Sequence, residues 1–208
     1  APEQVSPAFI RRLTQDGMIV SAGHTEASYD QMQTALAHGV TGFTHLFNAM
    51  SPMTSREPGV VGAALDHADS WCGLIVDGHH VHPVTLRQAI KAKAKGKMIL
   101  VTDAMHTVGQ GAGRFDLMGS PIVSANGKVT TLDGTLAGSD LDMASAVRNT
   151  VQQVGLELEE ALRMASLYPA QFLKLDHKIG RIAKGFQADL VLIDEHMVVQ
   201  QTWIKGQT

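Results

Sequence analysis

The chain has 208 residues, 44% of them hydrophobic and 18% charged, with a formal net charge of −3. That is the composition of a globular protein with one sizeable core, and the negative balance argues against a nucleic-acid partner, which needs a basic face. No apolar run reaches the roughly 20 residues that span a bilayer, so no membrane partner is expected; the single cysteine, Cys72, excludes an intramolecular disulfide and points to a reducing cytoplasm.

In chain order, short β-rich runs alternate with helical patterns. Ser6-Pro7 reads as an N-cap with proline at the first helical position, and Gly17 stops the helix. Met18 to Ala22 reads as a buried strand, Ser28 to His38 as a helix ended by Gly39, and Val40 to His45 as the next strand. A loop and a short helix over Gly59 to His67 lead to a strand at Gly73 to Asp77. A helix over Pro83 to Lys95 then leads to a strand at Lys97 to Thr102. This is βα repetition with parallel strands. The pattern changes at Arg114 to Leu136, which is strand-like and carries the hairpin signal Asn126-Gly127. Helices follow at Leu141 to Val154, Glu157 to Ser166 and Pro169 to Leu175, and the tail from Gly180 to Lys205 reads as short strands. Four such strands make half of an eight-stranded barrel, with an open α/β sheet as the alternative; in both, function gathers at the C-terminal ends of the strands.

Three of these strands run into a metal-ligand type: His24, His45 and Asp103. Two imidazoles and a carboxylate on one rim suit a divalent ion such as zinc or iron(II). Such an ion lowers the pKa of bound water towards about 7. The plainer reading of the same residues is three separately hydrogen-bonded side chains.

The stretch Thr44-His45-Leu46-Phe47-Asn48-Ala49-Met50, followed by Arg56-Glu57-Pro58-Gly59, resembles the signature of N-acetylglucosamine-6-phosphate deacetylases in the amidohydrolase superfamily. Gly23-His24-Thr25, Asp77-Gly78-His79-His80-Val81, Val101-Thr102-Asp103-Ala104 and Gly134 to Ser139 match as well, and the resemblance covers essentially the whole chain. It implies an α/β fold made of the C-terminal half of a (β/α)8 TIM barrel, residues 1–175, and part of a small β-sandwich domain, residues 176–208. It also implies hydrolysis of the acetamide of N-acetyl-D-glucosamine 6-phosphate, with one or two divalent ions, zinc or iron, as cofactor. Under it His24 and His45 are metal ligands, and Asp103 is the catalytic carboxylate with a further place as a metal ligand. Asn48, Ala49, Arg56, Asp77, His80, Leu136, Ala137 and Gly138 contact substrate. Arg56 reaches phosphate in the neighbouring subunit of a homodimer. The family's glutamate ligand falls before Ala1, because Ala1-Pro2-Glu3 matches a later motif, so the first half of the barrel is expected upstream.

The remaining features read more plainly. Cys72 lies in an apolar run and is expected as a buried thiol. His79 and His82 are expected to be solvated or capping, and His38, His67, His177 and His196 to lie on the surface. His106 is close enough to Asp103 to line a pocket. Gly109, Gly111 and Gly113 lack the strand-turn-helix setting of a dinucleotide fingerprint and read as a mobile active-site loop. The lysines from Lys91 to Lys97 read as a solvated helix end. An amidohydrolase for another acylated or cyclic amide, a phosphosugar-binding protein without catalysis, and a fragment with no autonomous function are the rival readings.

Overall fold

The structure is a computed structural model that describes residues 1–208. Helix α1 (Pro7–Gln15) begins as its residues dictate, with the Ser6 hydroxyl accepting from the Phe9 N–H and Pro7 where no donor is needed. Strand β1 (Val20–Ala22) follows, and then α2 (Tyr29–Ala37), whose start is closed reciprocally. The Gln31 N–H donates to the Ser28 hydroxyl and the Ser28 N–H to the Gln31 side chain. Strand β2 (Val40–Phe43), helix α3 (Gly59–Asp66), strand β3 (Trp71–Ile75), helix α4 (Pro83–Ala92) and strand β4 (Met98–Val101) continue the alternation. The four strands pair in sequence order and all in parallel. Each parallel step requires a crossover, and α2, α3 and α4 supply the three.

Strands β2 and β4 stop short of their predicted ends at His45 and Thr102, β3 keeps its predicted length but lies two residues earlier, and β1 lacks only its first predicted residues. Beyond the ladder, His24 (φ 47°), His45 (φ 33°) and Asp103 (φ 53°) turn into the left-handed region, which ends extended pairing. The core gathers on the sheet: Phe43, Leu74, Ile75 and Leu100 from the strands, Met32 and Leu86 from the helices, and Met164 from the later helix Leu158–Ala165. Cys72 is fully buried among them, and burial raises its thiol to about 11. β1 and β4 are left as free edges, so the sheet is open within these residues.

After Asp103 the chain builds an antiparallel meander of β5 (Gly113–Leu117), β6 (Ser120–Ala125), β7 (Lys128–Thr131) and β8 (Leu136–Ser139). Asn126 and Gly127 both take positive φ between Ala125 and its partner Lys128, as a two-residue type I′ turn requires. Helix α5 (Met143–Asn149) then passes into a π-helical turn, Thr150–Val154, where a single helix was predicted. The Thr150 hydroxyl bonds back to the Ala146 carbonyl, and the Gly155 and Leu156 N–H groups both reach the Thr150 carbonyl, which widens the turn. Arg87 of α4 donates to the carbonyls of Gln153 and Val154. Helices α6 (Leu158–Ala165) and α7 (Leu167–Phe172) complete this part, α7 starting before the predicted Pro169. The tail forms an antiparallel pair, β9 (Leu190–Ile193) with β10 (Val199–Trp203). No helix is long and apolar enough to cross a membrane.

Two surface expectations are corrected. Lys93 is buried, not solvated: α4 ends at Ala92, and Lys93, in extended backbone, turns its ammonium under the end of α3. There it donates to the carbonyls of Ala64 and His67 and to the Ser70 hydroxyl, filling acceptors that a helix C-terminus leaves open. His67, expected on the surface, is half-buried, with Nδ1 sealed from solvent and unpartnered.

Candidate active site

His24 and His45 stand at the ends of adjacent strands, and the sheet register brings their rings together. Their Nε2 atoms lie 3.0 Å apart with the rings at 77°. Two ligands held about 2.0–2.1 Å from one tetrahedral zinc would be about 3.3 Å apart, so the pair fits a shared divalent ion. His45 is buried and its Nδ1 has no partner, although a ligating histidine ordinarily donates its second N–H. No third His, Cys, Asp or Glu side chain completes a metal-holding group with them, Asp103 included. Close packing holds the pair in place: a Cβ on Gly23 would lie 2.8 Å from Thr44 Cβ, so only glycine lets the strand before His24 sit this near its neighbour.

Neighbouring backbone organises the rim. The Thr25 N–H donates to the Ala49 carbonyl (2.9 Å), and the Thr25 hydroxyl donates to Glu3. Glu3 is thus held at the back of the His24 segment, where it also accepts the Glu26 N–H. Asn48 donates its amide to the carbonyls of His45 and Leu46, and Phe47 and Ala49 both take positive φ. Asp103 is joined to β8: the Ser139 N–H donates to the Asp103 carbonyl at 2.8 Å and the Met105 N–H to the Ser139 carbonyl at 2.9 Å. The meander therefore leaves from Asp103 and returns to it, which places Leu136, Ala137 and Gly138 against the end of β4. His106 packs edge-on against Phe115 of that meander, ring centroids 4.3 Å apart.

Beyond β3, Asp77 accepts the N–H groups of His79 and His80 and the Nδ1–H of His80 at 2.6 Å. Burial pushes the Asp77 carboxyl up, but the His80 ring and the two backbone donors outweigh it and hold it down at about 2. His82 caps α4 through its ring, and His79 is exposed. Arg56 lies in an exposed loop and makes no hydrogen bond or ion pair within the chain. The loop is nonetheless held by Glu57, whose carboxylate accepts the N–H groups of Tyr29 and Gly59, and by Thr54 closing onto Glu57. Lys93, Glu3 and the closed Asp77–His80 pair were not singled out in these roles from sequence; an Asp followed by His at two and three residues is the signal of such a turn.

The amidohydrolase family model matches residues 3–208. The chain belongs to the amidohydrolase family. It is 43% identical, over its full length and 52% of the relative's, to the N-acetylgalactosamine-6-phosphate deacetylase of Shewanella sp. (strain ANA-3). It is 40% identical, over 97% of this chain and 52% of the relative, to the N-acetylglucosamine-6-phosphate deacetylase of Lysinibacillus sphaericus. The crystal structure of N-acetylglucosamine-6-phosphate deacetylase from Pasteurella multocida superposes on 99% of this chain and 54% of that one, at TM-score 0.96 and 39% identity. This amidohydrolase chain spans about half the length of the relatives it matches.

Proposed function

We propose that the protein hydrolyses the acetamide of N-acetyl-D-glucosamine 6-phosphate to D-glucosamine 6-phosphate and acetate. The observation that carries this reading is the convergence of His24 and His45 at 3.0 Å on adjacent strand ends. The names of the relatives set the substrate class. In this reading the four-stranded parallel sheet is the C-terminal half of an eight-stranded barrel, residues 1–175, and residues 176–208 are part of a small β-sandwich domain. The compartment is the cytoplasm.

Deacetylases of this superfamily are metal-dependent, and His24 and His45 would hold a zinc or iron ion here, alone or as part of a pair of ions. Such an ion supplies Lewis acidity and brings water within reach of deprotonation at neutral pH. Asp103 takes the proton of the water that adds to the acetyl carbonyl carbon. The carbon–nitrogen bond then breaks, and Asp103 returns the proton to the nitrogen so that the sugar amine leaves neutral. His80 faces the acetyl oxygen through Nε2. Asn48, Ala49 and Leu136 to Gly138 line the sugar, and Arg56 grips phosphate in the pocket of a second subunit, a task suited to a permanently charged guanidinium fork.

A second reading, the 4-epimer N-acetyl-D-galactosamine 6-phosphate, is favoured by the Shewanella relative at 43% identity. Steady-state rates on both sugar phosphates decide between the two, with the glucosamine compound expected to have the higher kcat/KM. Chelation should abolish activity and zinc or iron(II) restore it. A His24→Ala, His45→Ala double variant that retains wild-type metal content would refute the site.

A further inference from the structure

Three donors from its own turn engage Asp77. Its Oδ1 accepts two backbone N–H groups, from His79 at 2.8 Å and His80 at 2.9 Å, while Oδ2 faces His80 Nδ1 at 2.6 Å. The side chains of Asp77 and His80 are each only 5% exposed. Gly78, at φ 77°, provides the left-handed step that folds this turn back on itself. An ionised carboxylate can only accept, so the atom facing it on His80 must be a donor and Nδ1 carries the proton. His80 Nε2, by contrast, makes no hydrogen bond within the chain and is not among the unpartnered polar atoms sealed from solvent.

We propose that Asp77 is a positioning residue that locks the proton of His80 onto Nδ1 and so presents Nε2, and only Nε2, to the ligand. This rests on the deacetylase reading above and deepens it. Neutral His80 then accepts a hydrogen bond from a hydroxyl or amide N–H of the sugar. Protonated at both nitrogens, it donates from Nε2 to the acetyl oxygen. Asp77 itself touches no part of the substrate.

Asp77→Asn tests this sharply. Because Oδ1 is held by two backbone donors, the amide oxygen of Asn must take that place and its NH2 must face His80 Nδ1. Two donors cannot face each other, so the ring proton is driven to Nε2. Nitrogen-15 spectra of the His80 imidazole in the intact protein should show protonation at Nδ1 in the wild type and at Nε2 in Asp77→Asn. The kcat/KM for the acetylated sugar phosphate should fall about 10- to 100-fold, the usual effect of losing a partner that orients a functional histidine. Asp77→Glu should recover part of the loss together with the Nδ1 proton. Retention of the Nδ1 proton in Asp77→Asn, or an inverted ring with undiminished kcat/KM, overturns the proposal. If the wild type hydrolyses neither sugar phosphate, the deacetylase reading fails, and the ring spectra then decide the role of Asp77 by themselves.

Discussion

At the scale of single residues, the same chemical type does opposite work according to its surroundings. Asp77 is consumed by three donors in its own loop, whereas no hydrogen-bond partner within the chain engages the Asp103 carboxylate; only the Asp103 backbone is tied down, by Ser139. A carboxylate kept free on a fixed backbone suits a proton shuttle. Asp103→Asn should therefore bind substrate with little change and lose about two to four orders of magnitude in kcat, as measured by steady-state kinetics with a separate binding titration. Lys93 shows the structural counterpart. Its buried ammonium is satisfied by two carbonyls and a hydroxyl, so Lys93→Met strands all three acceptors. Denaturant unfolding should report a loss of about 2–3 kcal/mol for that variant, with metal content unchanged.

At the scale of elements, three of the four parallel strands are followed by a residue that bends into the left-handed region, and those bends set the directions of the His24, His45 and Asp103 side chains. The meander of β5 to β8 then anchors to the last bend through Ser139. Gly138 is what allows this: at φ 78°, any Cβ would sit 2.7 Å from Met105 Cγ and 3.1 Å from the Asp103 carbonyl. Gly134 has a similar φ, 91°, but open space around it. Gly138→Ala and Gly134→Ala both meet backbone strain, of order 1 kcal/mol or more, but only Gly138→Ala must also displace Met105 or the Asp103 backbone. The prediction is a larger drop in melting temperature and a loss of turnover for Gly138→Ala alone. Equal effects from the two variants would detach β8 from the site.

At the scale of the whole molecule, the parallel sheet has free edges at β1 and β4, and the β9–β10 pair exposes Val191 (58%) and Ile204 nearby (66%). Free edges and apolar faces favour association. Residues 1–208 prepared by themselves should aggregate or associate and be inactive; a cooperatively melting, active 22.3 kDa species in light scattering would contradict this. Arg56 is exposed on an anchored loop and makes no hydrogen bond or ion pair within its chain, and the proposed function assigns it to the pocket of a second subunit. Arg56→Ala should lower kcat/KM for the phosphorylated sugar by about 10- to 150-fold, the equivalent of 1.5–3 kcal/mol. Mixing Arg56→Ala with Asp103→Asn chains should restore activity above the sum of the two, since one pocket of the heterodimer then holds both native residues. Absence of that rise, with heterodimers confirmed by native mass spectrometry, would place Arg56 in its own subunit's site or in none.

Local signals were enough for much of this. The cap at Ser6, the Asn126-Gly127 turn, the order of strands and helices, the burial of Cys72 and the candidate ligands His24 and His45 all follow from residues within a few positions of one another, where backbone preference and periodicity act. The sequence could not reveal what depends on the chain meeting itself at long range. That His24 and His45 converge to 3.0 Å is a matter of parallel register between β1 and β2. That Lys93 is buried depends on α4 stopping at Ala92 beside the end of α3, which charge patterning misreads as a solvated run. That β8 returns to Asp103 depends on the closure of a four-stranded meander across the 35 residues between Asp103 and Ser139, where the decisive hydrogen bonds join backbone atoms that carry no sequence signature.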